Sequence, residues 1–225
     1  MDDDAATDIV LVGAGPAALF AVFQLGLYGL TCRLIDSLDR PGGQCAVLYP
    51  DKPIYDVPGF PEIAGEELTA RLLRQIEPFA PRFSLDETVI DISAGADGCS
   101  VKTGAGRLYR GRALVLATGL GTFLPPTIEG EAAALSAGPA GEWPLTRSRG
   151  AFLTDTERYA TAHPGLYAIG DACDYPGKLR LILSAFHEAA LMTQAVRGFL
   201  QPGKKPAVQY STSSSGIKKK LGKPE

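Results

Sequence analysis

The sequence predicts a single α/β domain in three layers: a mostly parallel sheet, helices on one side of it, and a small antiparallel crossover around residues 87–109. Three observations predict this fold. Residues 8–36 have the pattern of a strand, a tight glycine turn, a helix and a second strand. Short apolar runs typical of buried parallel strands recur at residues 114–117 and 166–169. The chain has 225 residues, 45% of them hydrophobic, which is enough to bury one core.

The first unit follows from the order of its residues. Residues 8–12 form an apolar run rich in branched side chains that ends at a glycine, as expected for a strand buried on both faces. Residues 19–30 are apolar at nearly every position, which indicates a buried helix. Residues 31–36 are a second short apolar run, and an acid, Asp36, ends it. These elements predict a right-handed βαβ unit of ordinary length.

The turn inside this unit has the spacing of a dinucleotide-binding loop. Gly13 allows the tight turn, Gly15 lets backbone amides approach a pyrophosphate, and Ala18 keeps the helix close to the strand. The helix N-terminus then faces the negative phosphates, and the acid can accept hydrogen bonds from ribose hydroxyls. The residues assigned to the dinucleotide on these grounds are Gly13, Gly15, Pro16, Ala17 and Asp36. A protein that binds NAD(P) through this single motif is an alternative that these residues leave open.

Composition narrows the class of partner. The net charge is −3 and the only basic run is residues 218–223, which argues against nucleic acid as the main partner. The acidic start, MDDDAATD, differs from the basic start of a secretory signal. No stretch reaches the roughly 18 apolar residues that a transmembrane helix needs. We therefore expect no nucleic-acid partner, no membrane contact and a cytoplasmic location.

The reactive side chains indicate neither a metal site nor a hydrolase. Cys32, Cys45, Cys99 and Cys173 are scattered without a CxxC motif or paired metal spacing, so buried free thiols are the simpler interpretation. No nucleophile stands with a base and an orienting acid. We accordingly assign no metal ligand and no catalytic residue.

Five further blocks identify relatives of the chain. They are PGGQC at residues 41–45, LYPDKPIYDVPGFP at 48–61, LATGLGTFLP at 116–125, PGLYAIGDACDYPGKLRLILSAFHEAAL at 164–191 and QYSTSSSGIKKKLG at 209–222. Together they are far more specific than a glycine motif. On these blocks the chain resembles the thioredoxin-reductase-like ferredoxin (or flavodoxin) NADP reductases, a branch of the flavoproteins with two dinucleotide-binding domains.

The resemblance implies FAD as the cofactor and gives roles to single residues. Asp171, which follows Gly170, would hydrogen bond a ribityl hydroxyl. A helix starting near Leu179 would aim its positive end at the pyrimidine side of the flavin. Gln44 and Tyr49 would line the isoalloxazine, Tyr49 by stacking on one face. A strand-ending turn and a core aromatic are the alternative interpretations of Asp171 and Tyr49.

Other implied contacts lie at the ends of two strands. Ile90, together with Val89, would meet the adenine through its backbone, although any buried strand shows the same residue types. Thr118 and Gly119 would form the turn at the flavin, and Phe123 would sit beside it.

The tail and the oligomeric state are also implied by the resemblance. Thr212 and Ser213 would lie near the exposed flavin face, contributed by the tail of the same or a partner subunit, unless the tail is a solvated linker. The family suggests a homodimer. Its partner would be a ferredoxin or flavodoxin-type redox protein, and an acidic ferredoxin would suit the basic tail.

The chain departs from its relatives between Gly121 and Gly150, where they have a nicotinamide domain. About 30 residues lie there, whereas a domain needs about 100 or more, and they contain neither a glycine motif nor an arginine cluster. We expect an FAD-binding domain made of residues 1–125 and 136–208, joined by a linker at 126–135 in place of the NADPH domain. Residues 209–225 form the tail.

Besides the NAD(P)-binding protein mentioned above, two functions remain open at this point. The first is an electron-transfer flavoprotein related to ferredoxin–NADP reductase that does not use NADPH by itself. The second is a non-catalytic FAD-binding module, either a truncated scaffold or a subunit of a larger redox complex.

Overall fold

The structure is a computed structural model that describes residues 7–124, 134–136, 138–203 and 214–222. Its strands are β1 (Thr7–Val12), β2 (Cys32–Ile35), β3 (Pro53–Ile54), β4 (Ile63–Ala64), β5 (Arg82–Ser84), β6 (Val89–Gly95), β7 (Gly98–Thr103), β8 (Leu108–Leu116), β9 (Thr122–Leu124), β10 (Ala134–Ser136), β11 (Arg147–Ser148), β12 (Ala151–Leu153), β13 (Leu166–Ala168) and β14 (Cys173–Asp174). Its helices are α1 (Pro16–Leu27), α2 (Gln44–Val47), α3 (Gly65–Ile76), α4 (Ile182–Leu200) and α5 (Ser215–Lys220).

A parallel sheet forms the centre of the domain. Its strands lie in the order β5, β2, β1, β8, β13, and each pairs in parallel with its neighbour. Ile9 of β1 stands between Cys32 of β2 and Ala113 of β8, and it is fully buried. Strands buried on both faces need continuous apolar runs, and for this reason the four strands predicted from such runs are all present. The predicted α/β fold is confirmed.

Strand β8 belongs to both the parallel sheet and the antiparallel crossover. Its first residues pair antiparallel with β7, while Leu114 to Leu116 pair in parallel with β13. The sequence of β8 reflects this change: residues 108–112 alternate in exposure, whereas residues 113–116 are buried without a break. An alternating strand suits a sheet with one solvated face, and a continuous apolar strand suits a covered one. The predicted crossover, β6 to β8, is therefore continuous with the main sheet.

The long helices pack against one another. Helix α1 contacts both α3 and α4. Phe20 of α1 packs against Phe186 of α4 with the rings tilted by 39° and their centroids 4.7 Å apart, and Phe23 meets Phe79 edge-on at 6.0 Å. Such aromatic pairs contribute about 1 kcal/mol beyond the area that they bury. Within the ranges that the structure describes, no helix is both long and apolar enough to cross a membrane.

A short ribbon marks the place where the relatives' second domain was expected. Strands β9 and β10 pair antiparallel, with Leu124 opposite Ala134 and Thr122 opposite Ser136. Nine residues, 125–133, separate the two paired strands along the chain. The predicted linker ran to residue 135, whereas β10 already begins at Ala134, because strand pairing extends the ordered ribbon into it. Nine residues are far too few for a nucleotide-binding domain.

An ion pair in the second part of the chain makes stability depend on pH. Arg149 holds both carboxylate oxygens of Asp174, at 2.6 and 3.1 Å, and Asp174 in β14 is almost fully buried. These hydrogen bonds lower the pKa of Asp174 from 3.8 to about 2. Because the folded pKa is depressed, the stabilisation is complete above the unfolded value and is lost as the pH falls from 3.8 towards 2.

We therefore expect Asp174→Asn to lower the melting temperature at pH 7 by about 2–4 °C, which corresponds to ~1 kcal/mol once solvent screening of the exposed Arg149 is allowed for. The difference from the wild type should shrink as the pH falls below 4, since the wild-type carboxylate then takes up a proton as well. Circular dichroism melts at several pH values measure it. A difference that stays constant down to pH 2 contradicts the assigned ion pair.

Candidate functional site

A deep cleft opens at the carboxyl ends of the central parallel strands. Its walls come from the turns that follow four of them: residues 13–17 after β1, 36–37 after β2, 117–121 after β8 and 169–171 after β13. The empty space, counted out to the open solvent, is about 1190 Å³. Open parallel α/β sheets bind ligands at this edge, because turns from several strands meet there.

Gly13 is required by the fold itself. Its φ is +104°, and a Cβ atom built on it would lie 2.3 Å from the carbonyl oxygen of Ala117. The Gly13 amide donates to Ile35 O at 2.8 Å, and the Ala117 amide donates to Val12 O at the same distance. The turn is therefore held tightly between the ends of β2 and β8, where only glycine fits.

A side chain at position 15 would not clash with the protein, so the space beside Gly15 is open to a ligand. Its φ of −75° is open to any residue, and the nearest atom to an added Cβ is the Cα of Gly43, at 3.9 Å. Gly15 caps α1, which has Pro16 in its first turn and neither a side-chain cap nor an acid there. By contrast α3, which does not line the cleft, has Glu66 and Glu67 in its first turn. The positive end of α1 is thus available to a pyrophosphate.

Asp36 lines the cleft and also organises the glycine turn. Its Oδ2 accepts from the Ala14 amide at 2.6 Å and its Oδ1 from the Leu38 amide at 3.0 Å. Burial raises the pKa of Asp36, and the hydrogen bonds from these amides oppose the rise. The sequence predicted a role for Asp36 at the ribose, but not these hydrogen bonds to the backbone of the turns. A carboxylate has lone pairs to spare, so both are compatible.

The segment after β2 brings Gln44 and Tyr49 to the cleft wall. The backbone of Gly43, with φ +54°, lies against Gly15, and Gln44 then opens the short helix α2. The Nε2 of Gln44 is 3.5 Å from the position of a Cβ on Gly119, so the turns after β2 and β8 meet. Tyr49 lies with its hydroxyl 3.7 Å from the Cys45 thiol, and burial raises the pKa of both groups. Both therefore stay protonated at neutral pH.

At the far end of the cleft the structure places Val89 on the wall but not Ile90, whose predicted backbone contact with adenine stays a prediction. Glu87, Thr88 and Val89 line the cleft, whereas Ile90 is not among its lining residues and is 42% exposed. Successive side chains of a strand point to opposite faces, so a buried Val89 turns Ile90 outward. A bulge between Val89 and Asp91 further shifts the register. Ile90 is connected to the cleft only through its carbonyl oxygen, which accepts from the indole of Trp143 at 3.3 Å.

The turn after β13 and the start of α4 close the other side. Gly170 has φ +66°, and Asp171 follows it in a single helical turn that lines the cleft. Helix α4 begins at Ile182, three residues later than the predicted start near Leu179, because Leu181 has extended backbone. Its first turn has neither a side-chain cap nor an acid. The predicted positive helix end is therefore present at the cleft.

Three predicted residues are not described in full. Phe123 lies in β9, for which only the backbone is described, and Thr212 and Ser213 lie outside the described residues. Their neighbour Ser214 caps α5 by accepting from the Ile217 amide at 3.3 Å. Lys220 of α5 donates to Leu27 O at 2.9 Å, at the end of α1 that points away from Gly13. The described part of the tail, 214–222, supplies no lining residue to this subunit's cleft.

The sequence analysis missed a group of lining residues that return to the cleft after the ribbon. Pro139, Ala140 and Trp143 line it, and so does Arg180 before α4. Trp143 is the only tryptophan of the chain, and its ring stacks on Phe152 with centroids 6.0 Å apart. The signal available was a lone tryptophan after the departure from the family pattern. Its place depends on contacts between distant parts of the chain, which residue spacing does not predict.

The residues present fit a dinucleotide that carries a flavin. Two long helices, α1 and α4, present positive ends without caps or acids, and the space beside Gly15 has no protein atom within 3.9 Å of an added Cβ. Tyr49, Gln44 and Asp171 stand together on the wall at the α4 end. Within the described residues no group of three or more His, Cys, Asp or Glu side chains is placed to hold a metal ion.

Comparisons with known proteins agree with this assignment. Residues 7–141 match the pyridine nucleotide-disulphide oxidoreductase family. The chain is 32% identical to a ferredoxin–NADP reductase of Parvibaculum lavamentivorans over 334 aligned positions that span 96% of this chain and 97% of the relative. It is 33% identical to the ferredoxin–NADP reductase of Beijerinckia indica, spanning 99% of each. Since the chain has 225 residues, at least 109 of the 334 positions have no residue in it.

Solved structures show the same fold. The thioredoxin reductase of Streptococcus pyogenes superposes with a TM-score of 0.71 at 17% identity, spanning 88% of this chain and 99% of that one. The thioredoxin reductase of Lactococcus lactis gives 0.69 at 15% identity, spanning 86% and 99%. The cofactor is FAD, which accepts and passes on electrons when bound. On the family match and these relatives, the chain belongs to the pyridine nucleotide-disulphide oxidoreductase family, and within it to the ferredoxin–NADP reductases.

Proposed function

We propose that this FAD-dependent oxidoreductase exchanges electrons with a small redox protein and does not take hydride from NADPH by itself. The observation that carries the proposal is the ribbon of β9 and β10, which nine residues connect. At least 109 aligned positions of the relative have no counterpart in the chain, enough for a nucleotide-binding domain of about 100 residues. The domain division of 1–125 and 136–208, with a tail at 209–225, is part of this proposal.

The FAD half of the site supports the first part of the proposal. Each turn that a flavin dinucleotide needs is present, and we assign the roles as follows. Gly13, Gly15, Pro16 and Ala17 bind the pyrophosphate, Asp36 the adenosine ribose, Gln44, Tyr49, Thr118 and Gly119 the isoalloxazine, and Gly170 and Asp171 the ribityl chain. Thr88 and Val89 take the adenine position, which the sequence had suggested for the backbone of Val89 and Ile90. Phe123, Thr212 and Ser213 stay predictions.

Four further cavities among the described residues lie at the far end of α1, beside residues 55–61, along α3 and around Tyr55. None of these four combines a glycine turn at a strand end with the N-terminus of a long helix, the arrangement that binds a pyrophosphate. This supports the proposal that NADPH does not reduce the flavin of this chain directly.

The rim of the cleft supports a protein partner. Arg180 lines the cleft and is exposed, and its neighbours Leu179 and Leu181 are 61% and 40% exposed. An apolar patch with a cation at its centre suits a partner with an acidic surface, which ferredoxins and flavodoxins provide. The relatives are ferredoxin–NADP reductases by name, which favours ferredoxin. A homodimer and a cytoplasmic location stay predictions.

Anaerobic reduction of the purified, FAD-loaded protein tests the proposal. We expect the visible flavin absorption to persist after NADPH is added, and to bleach rapidly with reduced ferredoxin or flavodoxin. The Parvibaculum ferredoxin–NADP reductase is the positive control and should bleach with NADPH. Dithionite should bleach both proteins, which shows that the flavin is reducible.

Each result distinguishes one alternative. Bleaching by NADPH overturns the proposal, because it requires a nicotinamide site in this chain. Bleaching by dithionite but by neither redox protein favours the non-catalytic FAD module. A purified protein that contains NAD(P) and no flavin favours a nicotinamide-binding protein.

A further inference from the structure

A buried ion pair lies directly beneath the Gly170–Asp171 turn of the FAD cleft. Its members are Lys178, in the loop before α4, and Glu188, in the second turn of α4. Their side chains are 2% and 0% exposed. Tyr175 adds a third contact, since its hydroxyl donates to Glu188 Oε1 at 2.8 Å.

The pair binds both backbone polar groups of one residue of the cleft wall. The Lys178 ammonium donates to the carbonyl oxygen of Gly170 at 2.8 Å. The Gly170 amide donates to Glu188 Oε2 at 2.6 Å. Together these two side chains fix the peptide groups on either side of Gly170, whose φ is +66°. The orientation of the next residue, Asp171, follows from them.

Stability alone is a weak reason for such a pair. Removing two charges from water is costly, and well-packed apolar side chains of similar size often stabilise a core as well or better. Charged groups do fix the orientation of the groups that they bind, because each hydrogen bond has a preferred length and direction. The function of the pair therefore depends on the backbone of Gly170, which it orients.

The position of Gly170 indicates what that role is. A Cβ on Gly170 would be 3.1 Å from the Cβ of Ala17, in the first turn of α1. Glu188 belongs to α4, whose first turn lines the cleft with Ile182 and Ala185. The pair thus connects the end of β13 to α4 through Gly170, and Gly170 itself lies close to the first turn of α1. The first turns of α1 and α4 both line the cleft with positive helix ends.

We propose that Lys178 and Glu188 are positioning residues of the FAD site, which hold the Gly170–Asp171 turn and the start of α4 in register with each other. Asp171 then faces the cleft before the cofactor arrives, so that FAD binds a wall that is already ordered. The inference rests on FAD binding in this cleft and is independent of the electron donor.

The test uses the full chain stripped of FAD and two variants, K178M/E188Q and E188Q. The double variant removes both charges of the pair, whereas E188Q leaves the Lys178 charge buried without its partner, so the double variant is the less disruptive of the two. We expect its Kd for FAD to rise at least tenfold in a fluorescence titration. Hydrogen exchange of the Gly170 amide, measured by NMR without FAD, should speed up at least tenfold relative to the Val10 amide in β1. Faster exchange at the Gly170 amide with unchanged exchange at the Val10 amide distinguishes a positioning role from a general loss of stability.

The matched control is Asp155→Asn. Asp155 also orders a turn, since its carboxylate accepts from the amides of Glu157, Arg158 and Tyr159 at 2.5–3.1 Å, but it does not line the cleft. Its Kd for FAD should equal that of the wild type. If either folded variant keeps the wild-type Kd and the wild-type Gly170 exchange, the inference is wrong. A wild-type protein that does not bind FAD would instead overturn the proposed function.

Discussion

Gly13→Ala should leave the chain without bound FAD and with its fold destabilised by several kcal/mol. A Cβ at this position meets the Ala117 carbonyl oxygen at 2.3 Å and its carbon at 2.8 Å, and both are backbone atoms of the central sheet. The positive φ of +104° adds strain for any L side chain. Backbone strain costs roughly 1–3 kcal/mol and overpacking about the same again, against a total stability of about 5–15 kcal/mol. Urea unfolding of the apoprotein and the flavin content after purification measure the two effects.

Gly106→Ala separates the clash from the strain. Gly106 also has a positive φ, of +80°, but no atom lies within 4 Å of an added Cβ, and it does not line the cleft. This variant should lose roughly 1 kcal/mol of stability through backbone strain and bind FAD normally. If Gly13→Ala behaved like this control, the close approach of the β1 turn to β8 would not be the reason for glycine at position 13.

Gly15→Ala should fold almost as well as the wild type and bind FAD at least 100-fold more weakly. The backbone at Gly15 accepts any residue, and the added Cβ has only the Gly43 Cα nearby, at 3.9 Å. Alanine at the helix cap costs less than about 1 kcal/mol. The methyl group of alanine occupies space that we assign to the pyrophosphate. It therefore increases the distance from the phosphate to the backbone amides and weakens charge-assisted hydrogen bonds of about 1.5–3 kcal/mol each. Two such bonds correspond to about 100-fold or more in affinity.

Titration of the apoprotein with FAD, followed by quenching of flavin fluorescence or of Trp143 in the cleft wall, measures the affinity. Gly95→Ala is the control, because Gly95 has no atom within 4 Å of an added Cβ and lies outside the cleft. It should leave the Kd unchanged. A Gly15→Ala protein with wild-type affinity would place the pyrophosphate elsewhere.

These two glycines show how far local spacing predicts a site. Gly13 and Gly15 were assigned from their distance to each other and to Asp36, and the structure places all three at one cleft. Their common location follows from the sequence because strand, turn and helix are adjacent in it, so their geometry depends on few long-range contacts. The hydrogen bond that Asp36 accepts from the Ala14 amide was not predicted. That contact depends on how closely β2 lies beside β1.

Other details required the folded chain. Val89 and Ile90 were expected to meet the adenine through their backbone, and only the structure shows that Val89 faces the cleft while the alternation along β6 and its bulge turn the Ile90 side chain outward. Helix α4 was expected from Leu179, but it starts at Ile182. Apolar residue types predict that a segment is buried or helical, and they do not specify which face is buried or at which residue the helix begins.

The sequence by itself determined the class of fold, the tight glycine turn at Gly13, the family resemblance and the small number of residues between Gly121 and Gly150. All of these depend on local order, on counting residues or on matching blocks of sequence. Only the tertiary structure decided that β9 and β10 pair across nine residues, that Trp143 returns to the cleft wall, and that Lys178 and Glu188 meet beneath Gly170. Such contacts join residues far apart in the chain, and their formation depends on packing of the whole core, which no local pattern encodes.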